Sequence, residues 1–204
     1  MSVPSGIYGI VDRASSPDAL RLLGAMLAGG VRIIQYRAKD GVARDLVRAM
    51  HVRTNAVGAL LVVNDDLEAA MDADGWHAGQ EDLIGLDLVA VRARLGERVL
   101  GVSCGVPAEA MAAARAGADY VGTGPFASTT SKLDAGMPIG EAGLRAVVAA
   151  VAIPVVAIGG IGSDQLGAVR ASGARMAAVI SALAASPDPE AAARALVQRW
   201  AELG

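Results

Sequence analysis

The chain has very few cysteines and aromatic residues. Cys104 is the only cysteine, so the chain cannot form an intrachain disulfide or a cysteine-rich zinc site. Aromatic residues make up 3% of the 204 residues, whereas hydrophobic residues of all kinds make up 53%. The core must therefore be built mainly from aliphatic side chains. This length and apolar content predict one domain with one large core, spanning residues 1–204.

The chain also lacks a long apolar run and a block of basic residues. No uninterrupted apolar stretch reaches the roughly 18 residues expected of a membrane span, and the first residues do not have the pattern of a signal peptide. The formal net charge is -3 and the pI is about 5.4, which disfavours nucleic acid as a partner. We therefore expect a cytoplasmic protein that contacts neither membrane nor nucleic acid.

Short apolar runs alternate with helical patterns along the whole chain. Ser16-Pro17 and Asp188-Pro189 are typical helix starts, in which the first residue caps the helix and proline takes the first position. Glycines such as Gly117 and Gly173 stand between a helical pattern and a strand pattern, where they can end a helix. The predicted strands are Ile7 to Val11, Arg32 to Arg37, Leu60 to Asn64, Gly75 to His77, Val99 to Ser103, Asp119 to Thr123, Pro154 to Ile158 and Arg175 to Ile180.

Eight apolar strands alternating with helices predict a parallel sheet covered by helices, and here a single (β/α)8 TIM barrel. A doubly wound open sheet is the alternative, but it would typically carry a G-x-G-x-x-G turn after the first strand. This chain has Asp12-Arg13-Ala14-Ser15 there. In a barrel, the polar residues that follow the strands would meet at one end, where active sites of this fold lie.

The stretch from Tyr120 to Lys132 reads Y-V-G-T-G-P-F-A-S-T-T-S-K. It is an apolar strand that opens into a loop of glycines, hydroxyl groups and one lysine. The glycines let the backbone approach a ligand closely, and the hydroxyls and the ammonium group can bind phosphate. A solvated surface loop has a similar composition. The loop alone therefore leaves both interpretations open.

The charges that follow the other strands are chemically consistent with each other. Arg37, Lys39 and Lys132 supply three positive charges suited to several phosphate groups. Asp65 and Asp82 are carboxylates of the kind that bind Mg²⁺, which commonly uses one or two protein carboxylates together with water and substrate phosphates. Together these residues predict a site for a diphosphate and a magnesium ion.

Over nearly its full length the chain resembles the thiamine phosphate synthase family, also called thiamine-phosphate pyrophosphorylase. The matching motifs are Q-Y-R-A-K (35 to 39), V-N-D-D (63 to 66), D-G-W-H-A-G-Q-E-D (74 to 82), G-V-S (101 to 103), the loop from 120 to 132, I-P-V-V-A-I-G-G-I (153 to 161) and V-I-S-A-L (179 to 183). The resemblance implies a (β/α)8 fold. It also implies a transferase that joins an aminopyrimidine methyl diphosphate to a thiazole phosphate and releases pyrophosphate.

The resemblance assigns residues to three groups. The metal ligands would be Asp65 and Asp82, holding Mg²⁺. The pyrimidine diphosphate would be bound by Gln35, Tyr36, Arg37, Ala38, Lys39, Asn64, Ser103 and Lys132. The thiazole phosphate would be bound by Thr129, Thr130, Ser131, Gly160, Ile180 and Ser181. Arg37, Lys39 and Lys132 are also the expected catalytic residues, because they would stabilise charge on the departing pyrophosphate.

One departure from the family pattern bears on function. After Gly101-Val102-Ser103 the family usually has a small residue and then histidine, whereas this chain has Cys104-Gly105. A related branch of thiazole tautomerases uses a histidine at that place, so Gly105 argues against tautomerase activity. The alternatives to the synthase are a tautomerase-like isomerase and a non-catalytic protein that binds phosphate ligands. We expect small-molecule substrates and a homodimer.

Overall fold

The computed structural model describes residues 3–129 and 136–204. Within these ranges the apolar runs form eight strands, each close to its predicted position. The strands are β1 (Gly6–Asp12), β2 (Ile33–Arg37), β3 (Leu60–Asn64), β4 (Gly75–Ala78), β5 (Val99–Cys104), β6 (Tyr120–Thr123), β7 (Val155–Ile158) and β8 (Met176–Val179). At every strand, the predicted and the observed ends differ by no more than one residue.

Helices connect the strands on the outside of the sheet. They are α1 (Ala19–Ala28), α2 (Arg44–Asn55), α3 (Leu67–Ala70), α4 (Leu88–Leu95), α5 (Pro107–Arg115), α6 (Gly140–Ala150), α7 (Leu166–Ala171), α8 (Ser181–Ala184) and α9 (Pro189–Glu202), with a short 3₁₀ turn at Ser163–Gln165. Asp188 caps α9 as predicted, because its side chain accepts a hydrogen bond from the Ala191 amide. The predicted start of α1 at Ser16-Pro17 is wrong. The cap is Asp18, which accepts from the Arg21 amide.

The sheet closes on itself and confirms the predicted (β/α)8 barrel. Every strand pairs in parallel with the next, and β8 pairs with β1 through Met176 and Gly6. This last pairing excludes the open doubly wound sheet, which would leave two free edges. Among the described residues, no helix is both long enough and apolar enough to cross a membrane.

Side chains alternate between the two faces of each strand and form two apolar clusters. The outer cluster fills the space between sheet and helices. The inner cluster fills the barrel itself, and its strand residues are Tyr8, Ile10, Ile33, Val62, Val99, Tyr120, Val156, Met176 and Ala178. The inner cluster forms the floor beneath the carboxyl ends of the strands, where the polar residues converge.

Candidate active site

A cavity of about 360 Å³ opens at the carboxyl ends of the strands. It is the place where a barrel of this kind carries its active site. The structure brings most of the predicted site residues together around it. Those that line the cavity are Gln35, Arg37, Lys39, Asn64, Asp65, Asp82, Ser103, Thr129, Gly160, Ile180 and Ser181.

Tyr36 and Ala38 belong to the predicted set but do not line the cavity. Tyr36 is fully buried in the outer cluster, and Ala38 packs against that cluster. The reason is the alternation of a strand: Gln35 and Arg37 face the cavity, so the residue between them faces the helices. These two side chains therefore face away from the cavity, and the role in substrate binding assigned to the two residues stays a prediction. Thr130, Ser131 and Lys132 lie outside the described residues, and their roles stay predictions.

Arg37 is held by a buried carboxylate at the end of β1. Asp12 is 5% exposed, and its Oδ2 accepts a hydrogen bond from Arg37 Nη1 in an ion pair. The other carboxylate oxygen accepts from the Ala14 amide at 2.9 Å, which fixes the orientation of Asp12. The sequence alone places Asp12 in the turn that follows the first strand. In the structure it positions the guanidinium group at the cavity.

Asp65 and Asp82 form the most unusual electrostatic feature of the cavity. Burial, a hydrogen bond to the Asp82 side chain and the charge of Asp82 raise the pKa of Asp65 to about 6. The Asp65 backbone has a φ of 65°, a left-handed conformation that aspartate tolerates better than most residues. It is held there by its amide, which donates to His77 O at 2.9 Å, and by Trp76 Nε1, which donates to Asp65 O at 3.0 Å.

This pair of carboxyl groups fits a magnesium ion. Two carboxylates kept close together repel each other unless a proton or a cation lies between them, and one or two carboxylates are the usual protein contribution to Mg²⁺. The charges of Arg37 and Lys39 counteract the rise in the Asp65 pKa, so both cations lie near this carboxyl group. No cluster of three or more histidine, cysteine or acidic side chains suited to a metal occurs in the described part of the chain.

The floor of the cavity is a buried chain of hydrogen bonds that sequence reasoning missed. Gln35 Nε2 donates to Tyr8 Oη at 3.3 Å, and the hydroxyls of Tyr8 and Tyr120 lie 2.8 Å apart. Tyr120 Oη lies 2.8 Å from His77 Nδ1, and His77 Nε2 lies 2.9 Å from Ser103 Oγ. The chain crosses the barrel from β2 to β5.

The members of this chain are uncharged at neutral pH. Burial lowers the pKa of His77 to about 4, against a smaller opposite effect of the Asp82 charge. Burial also raises the pKa values of Tyr8 and Tyr120 well above the usual range of a phenol. The floor is therefore polar but neutral, which suits a heteroaromatic ring better than a charged group.

The wall of the cavity at the carboxyl ends of β7 and β8 is built from backbone. Gly160 has a φ of 64°, and a Cβ there would lie 2.5 Å from the carbonyl oxygen of Ser128. Only glycine fits this approach without strain. Helix α8 begins at Ser181, and its first N–H groups have no acceptor within the helix. Backbone of this kind at the last two strands is the usual phosphate cradle of such barrels.

Comparison with known proteins agrees with this arrangement. The sequence profile of the family described as thiamine monophosphate synthase matches residues 7–183. The chain belongs to the thiamine monophosphate synthase family. The resemblance inferred from the motifs is thereby confirmed, and the match includes all eight strands of the barrel except Gly6, the first residue of β1.

Individual members of the synthase family match over most of this chain. The thiamine-phosphate synthase of Herpetosiphon aurantiacus is 41% identical over 210 residues, covering 99% of this chain and 100% of that protein. The thiamine biosynthesis bifunctional protein ThiM/ThiE of Symbiobacterium thermophilum is 47% identical over 197 residues, or 94% of this chain, and the alignment spans 40% of that protein's length. The solved thiamine phosphate pyrophosphorylase of Pyrococcus furiosus superposes with a TM-score of 0.88 at 32% identity, covering 97% and 96% of the two chains.

Gly105 stands where the resemblance implies that the synthase family usually has histidine. It lines the cavity, and its amide donates to Glu109 Oε2 at 2.6 Å. A Cβ at this position would contact only Glu109, at 3.6 Å, so the missing side chain leaves open space. The cavity wall at β5 therefore lacks an imidazole, and His77 is the histidine that lines the cavity in the described ranges.

Proposed function

We propose that this protein is a thiamine-phosphate synthase. It would join an aminopyrimidine methyl diphosphate to a thiazole phosphate and release pyrophosphate. The observation that carries the proposal is the convergence, in one cavity, of two cations, two facing carboxyl groups and a backbone phosphate cradle. The names and coverage of the relatives support the same activity.

The difficult step is loss of pyrophosphate from the methylene carbon next to the pyrimidine ring. Arg37 and Lys39 would bind the diphosphate and stabilise the negative charge that builds on it, and Lys132 is assigned the same role. Asp12 holds the Arg37 guanidinium in place before the substrate arrives. Asp65 and Asp82 would hold Mg²⁺, which when bound neutralises charge on the leaving pyrophosphate.

The neutral floor would bind the pyrimidine ring. Gln35, Asn64 and Ser103 present polar atoms to the cavity, whereas Ile10 and Ile158 present apolar surface that excludes water. The thiazole nitrogen then attacks the methylene carbon, and the cradle at Gly160 and Ser181 holds the thiazole phosphate in line. No protein nucleophile takes part in this scheme. The protein contributes orientation and preorganised charge.

A coupling assay tests the proposal. Purified protein is mixed with both substrates and Mg²⁺, and thiamine phosphate is detected after oxidation to fluorescent thiochrome. We expect thiamine phosphate in the parent protein and none after addition of EDTA or in the Asp65→Asn variant. The control is Asp45→Asn, which removes one negative charge from an exposed residue and should keep full activity. Turnover that was unchanged in Lys132→Ala would refute the pyrophosphate role given to Lys132.

The same assay separates the alternatives. Folded protein that binds both substrates but yields no thiamine phosphate would be a non-catalytic ligand-binding relative. Isomerised thiazole phosphate in the absence of the pyrimidine substrate would indicate the tautomerase. Either result would overturn the synthase proposal.

A further inference from the structure

The hydrogen-bond chain on the cavity floor has a direction that its own atoms determine. A phenol or a serine hydroxyl can donate one hydrogen bond, a neutral imidazole carries one N–H, and an amide nitrogen can only donate. The five members are Gln35, Tyr8, Tyr120, His77 and Ser103, with successive distances of 3.3, 2.8, 2.8 and 2.9 Å. Once the donor at one end is known, the donor in every other hydrogen bond of the series is determined as well.

The end at Gln35 is fixed by the amide nitrogen. Because Gln35 Nε2 donates to Tyr8 Oη, the hydroxyl hydrogen of Tyr8 must find another acceptor. Tyr8 is 2% exposed, and in the described ranges the oxygen of Tyr120 is the acceptor within reach. Tyr120 accepts from Tyr8 and so directs its own hydrogen to His77 Nδ1.

The opposite direction would leave a buried hydrogen without a partner. If His77 Nδ1 donated to Tyr120 and Tyr120 donated to Tyr8, the Tyr8 oxygen would accept twice and its hydrogen would have no acceptor on the floor. A buried hydroxyl without a partner loses the hydrogen bond that it would make with water in the unfolded protein, which is unfavourable. The direction from Gln35 to His77 avoids this cost.

The consequence reaches the substrate through Ser103. An imidazole that accepts at Nδ1 carries its hydrogen at Nε2, which then donates to Ser103 Oγ. The Ser103 hydroxyl hydrogen has no other partner among residues 3–129 and 136–204. Gln80 Nε2 donates to the Ser103 carbonyl at 2.6 Å and holds the backbone in place. Since Ser103 lines the cavity, its hydroxyl is free to donate into it.

We propose that Tyr8 and Tyr120 are positioning residues that hold His77 as the Nε2–H tautomer and thereby make Ser103 a hydrogen-bond donor toward the substrate. The matching atom is a hydrogen-bond acceptor of the pyrimidine diphosphate. The identity of that ligand rests on the proposed function, but the tautomer does not. The two tyrosines act through His77 and Ser103 and need not contact the reacting atoms.

Histidine nitrogen NMR tests the tautomer directly. The protein carries two histidines, so a His51→Gln background labelled with ¹⁵N-histidine gives one set of imidazole signals. We expect the two-bond correlations at neutral pH to place the hydrogen on Nε2. Gln35→Glu replaces the terminal donor with an acceptor. It should therefore reverse the direction of the hydrogen bonds on the floor and move the imidazole hydrogen of His77 to Nδ1. Tyr120→Phe should leave both tautomers populated.

Tyr36→Phe is the matched control. The chain has three tyrosines, and Tyr36 lies on the outer face of β2 with its hydroxyl unpartnered within the described structure. The same chemical change there should leave the His77 tautomer unaltered. An Nδ1–H tautomer in the parent protein, a doubly protonated ring, or an unchanged tautomer in Gln35→Glu would each overturn the proposal.

A double-mutant cycle links the tautomer to the substrate. Ser103→Ala and Tyr120→Phe should each lower kcat/KM by about tenfold, the value of one hydrogen bond. The double variant should lose no more than Ser103→Ala alone, because Tyr120 acts through Ser103. Fully additive losses would overturn the link. If the parent protein makes no thiamine phosphate, the proposed function fails, whereas the NMR result still decides the tautomer.

Discussion

Gly101 lies directly beside the hydroxyl of Tyr120. A Cβ on Gly101 would be 2.3 Å from Tyr120 Oη and 2.5 Å from His77 Nδ1, distances that real Cβ atoms do not reach. The hydrogen bond between Tyr120 and His77 therefore occupies the space that a side chain on β5 would need. A glycine in a strand usually weakens it, and here it makes room for the polar floor.

Gly101→Ala should consequently disrupt the floor. The added methyl group must displace Tyr120 or His77 from a fully packed barrel, which costs about 1 to 3 kcal/mol of the free energy of unfolding. Synthase activity should also fall, because the displaced side chains belong to the cavity floor. Urea denaturation and the thiochrome assay measure the two effects.

Gly24→Ala is the control for this substitution. Gly24 lies in α1 with no atom near its Cβ position, so alanine should raise the free energy of unfolding by about 0.5 to 1 kcal/mol. A Gly101→Ala variant as stable and active as the parent protein would contradict the packing described for the floor.

Asp12→Asn should weaken diphosphate binding. Asparagine keeps the size of the side chain but removes the charge that holds the Arg37 guanidinium, which is 18% exposed. We expect KM for the pyrimidine diphosphate to rise by about tenfold, the value of one charge-assisted contact. Asp40→Asn is the matched control, because Asp40 forms an exposed pair with Arg13. An equal effect of both substitutions would contradict the positioning role of Asp12.

The free energy of unfolding should fall in acid partly because of His77. Its pKa is lowered from 6.5 to about 4 by burial, so the unfolded state takes up a proton more readily. Stability is therefore lost as the pH falls from 6.5 toward 4, by about 3 kcal/mol at the lower limit. The raised pKa of Asp65 acts in the opposite sense, adding stability as the pH falls below 6.

Comparison with His77→Gln isolates the histidine contribution. Glutamine can still donate and accept hydrogen bonds but does not titrate. Its free energy of unfolding, measured with urea across this pH range, should fall less steeply than that of the parent protein. Parallel curves for the two proteins would show that His77 is not buried as a neutral ring.

Cys104 should be inert toward thiol reagents in the native protein. It is 4% exposed, and burial, followed by the charge of Glu109, raises its pKa to about 12. The reactive thiolate is therefore scarce at neutral pH. Iodoacetamide should label the native protein at least about a hundredfold more slowly than the protein unfolded in guanidinium. Labelling at the same rate in both states would contradict the burial of this side chain.

The barrel could be predicted from the sequence because its signals are local. Strands such as Leu60–Asn64 are apolar up to their last residue, and helix starts such as Asp188-Pro189 have a specific chemistry. The positions of Arg37, Asp65 and Asp82 at one end follow from parallel topology alone. The family resemblance then supplied the substrates, which the residues by themselves left open.

The polar floor could not be predicted in the same way. Strands that are apolar on both faces do not reveal which residues face inward, so Tyr8 and Tyr120 are indistinguishable in sequence from Tyr36. The first two meet inside the barrel, and the third lies outside it. The tyrosine contact joins residues 112 positions apart. Such a contact depends on the register of the strands in the closed barrel, and no local sequence pattern predicts that register.

The hydrogen bond from Trp76 to the Asp65 carbonyl gives the protein an intrinsic optical reporter. The indole is 1% exposed and touches the backbone of one of the two facing carboxyl residues. The other tryptophan, Trp200, lies under Arg170 and lines a small hollow at the amino ends of the strands. A Trp200→Phe variant would therefore leave Trp76 as the single tryptophan. Its emission would follow ligand arrival at Asp65, so that binding could be timed without any label.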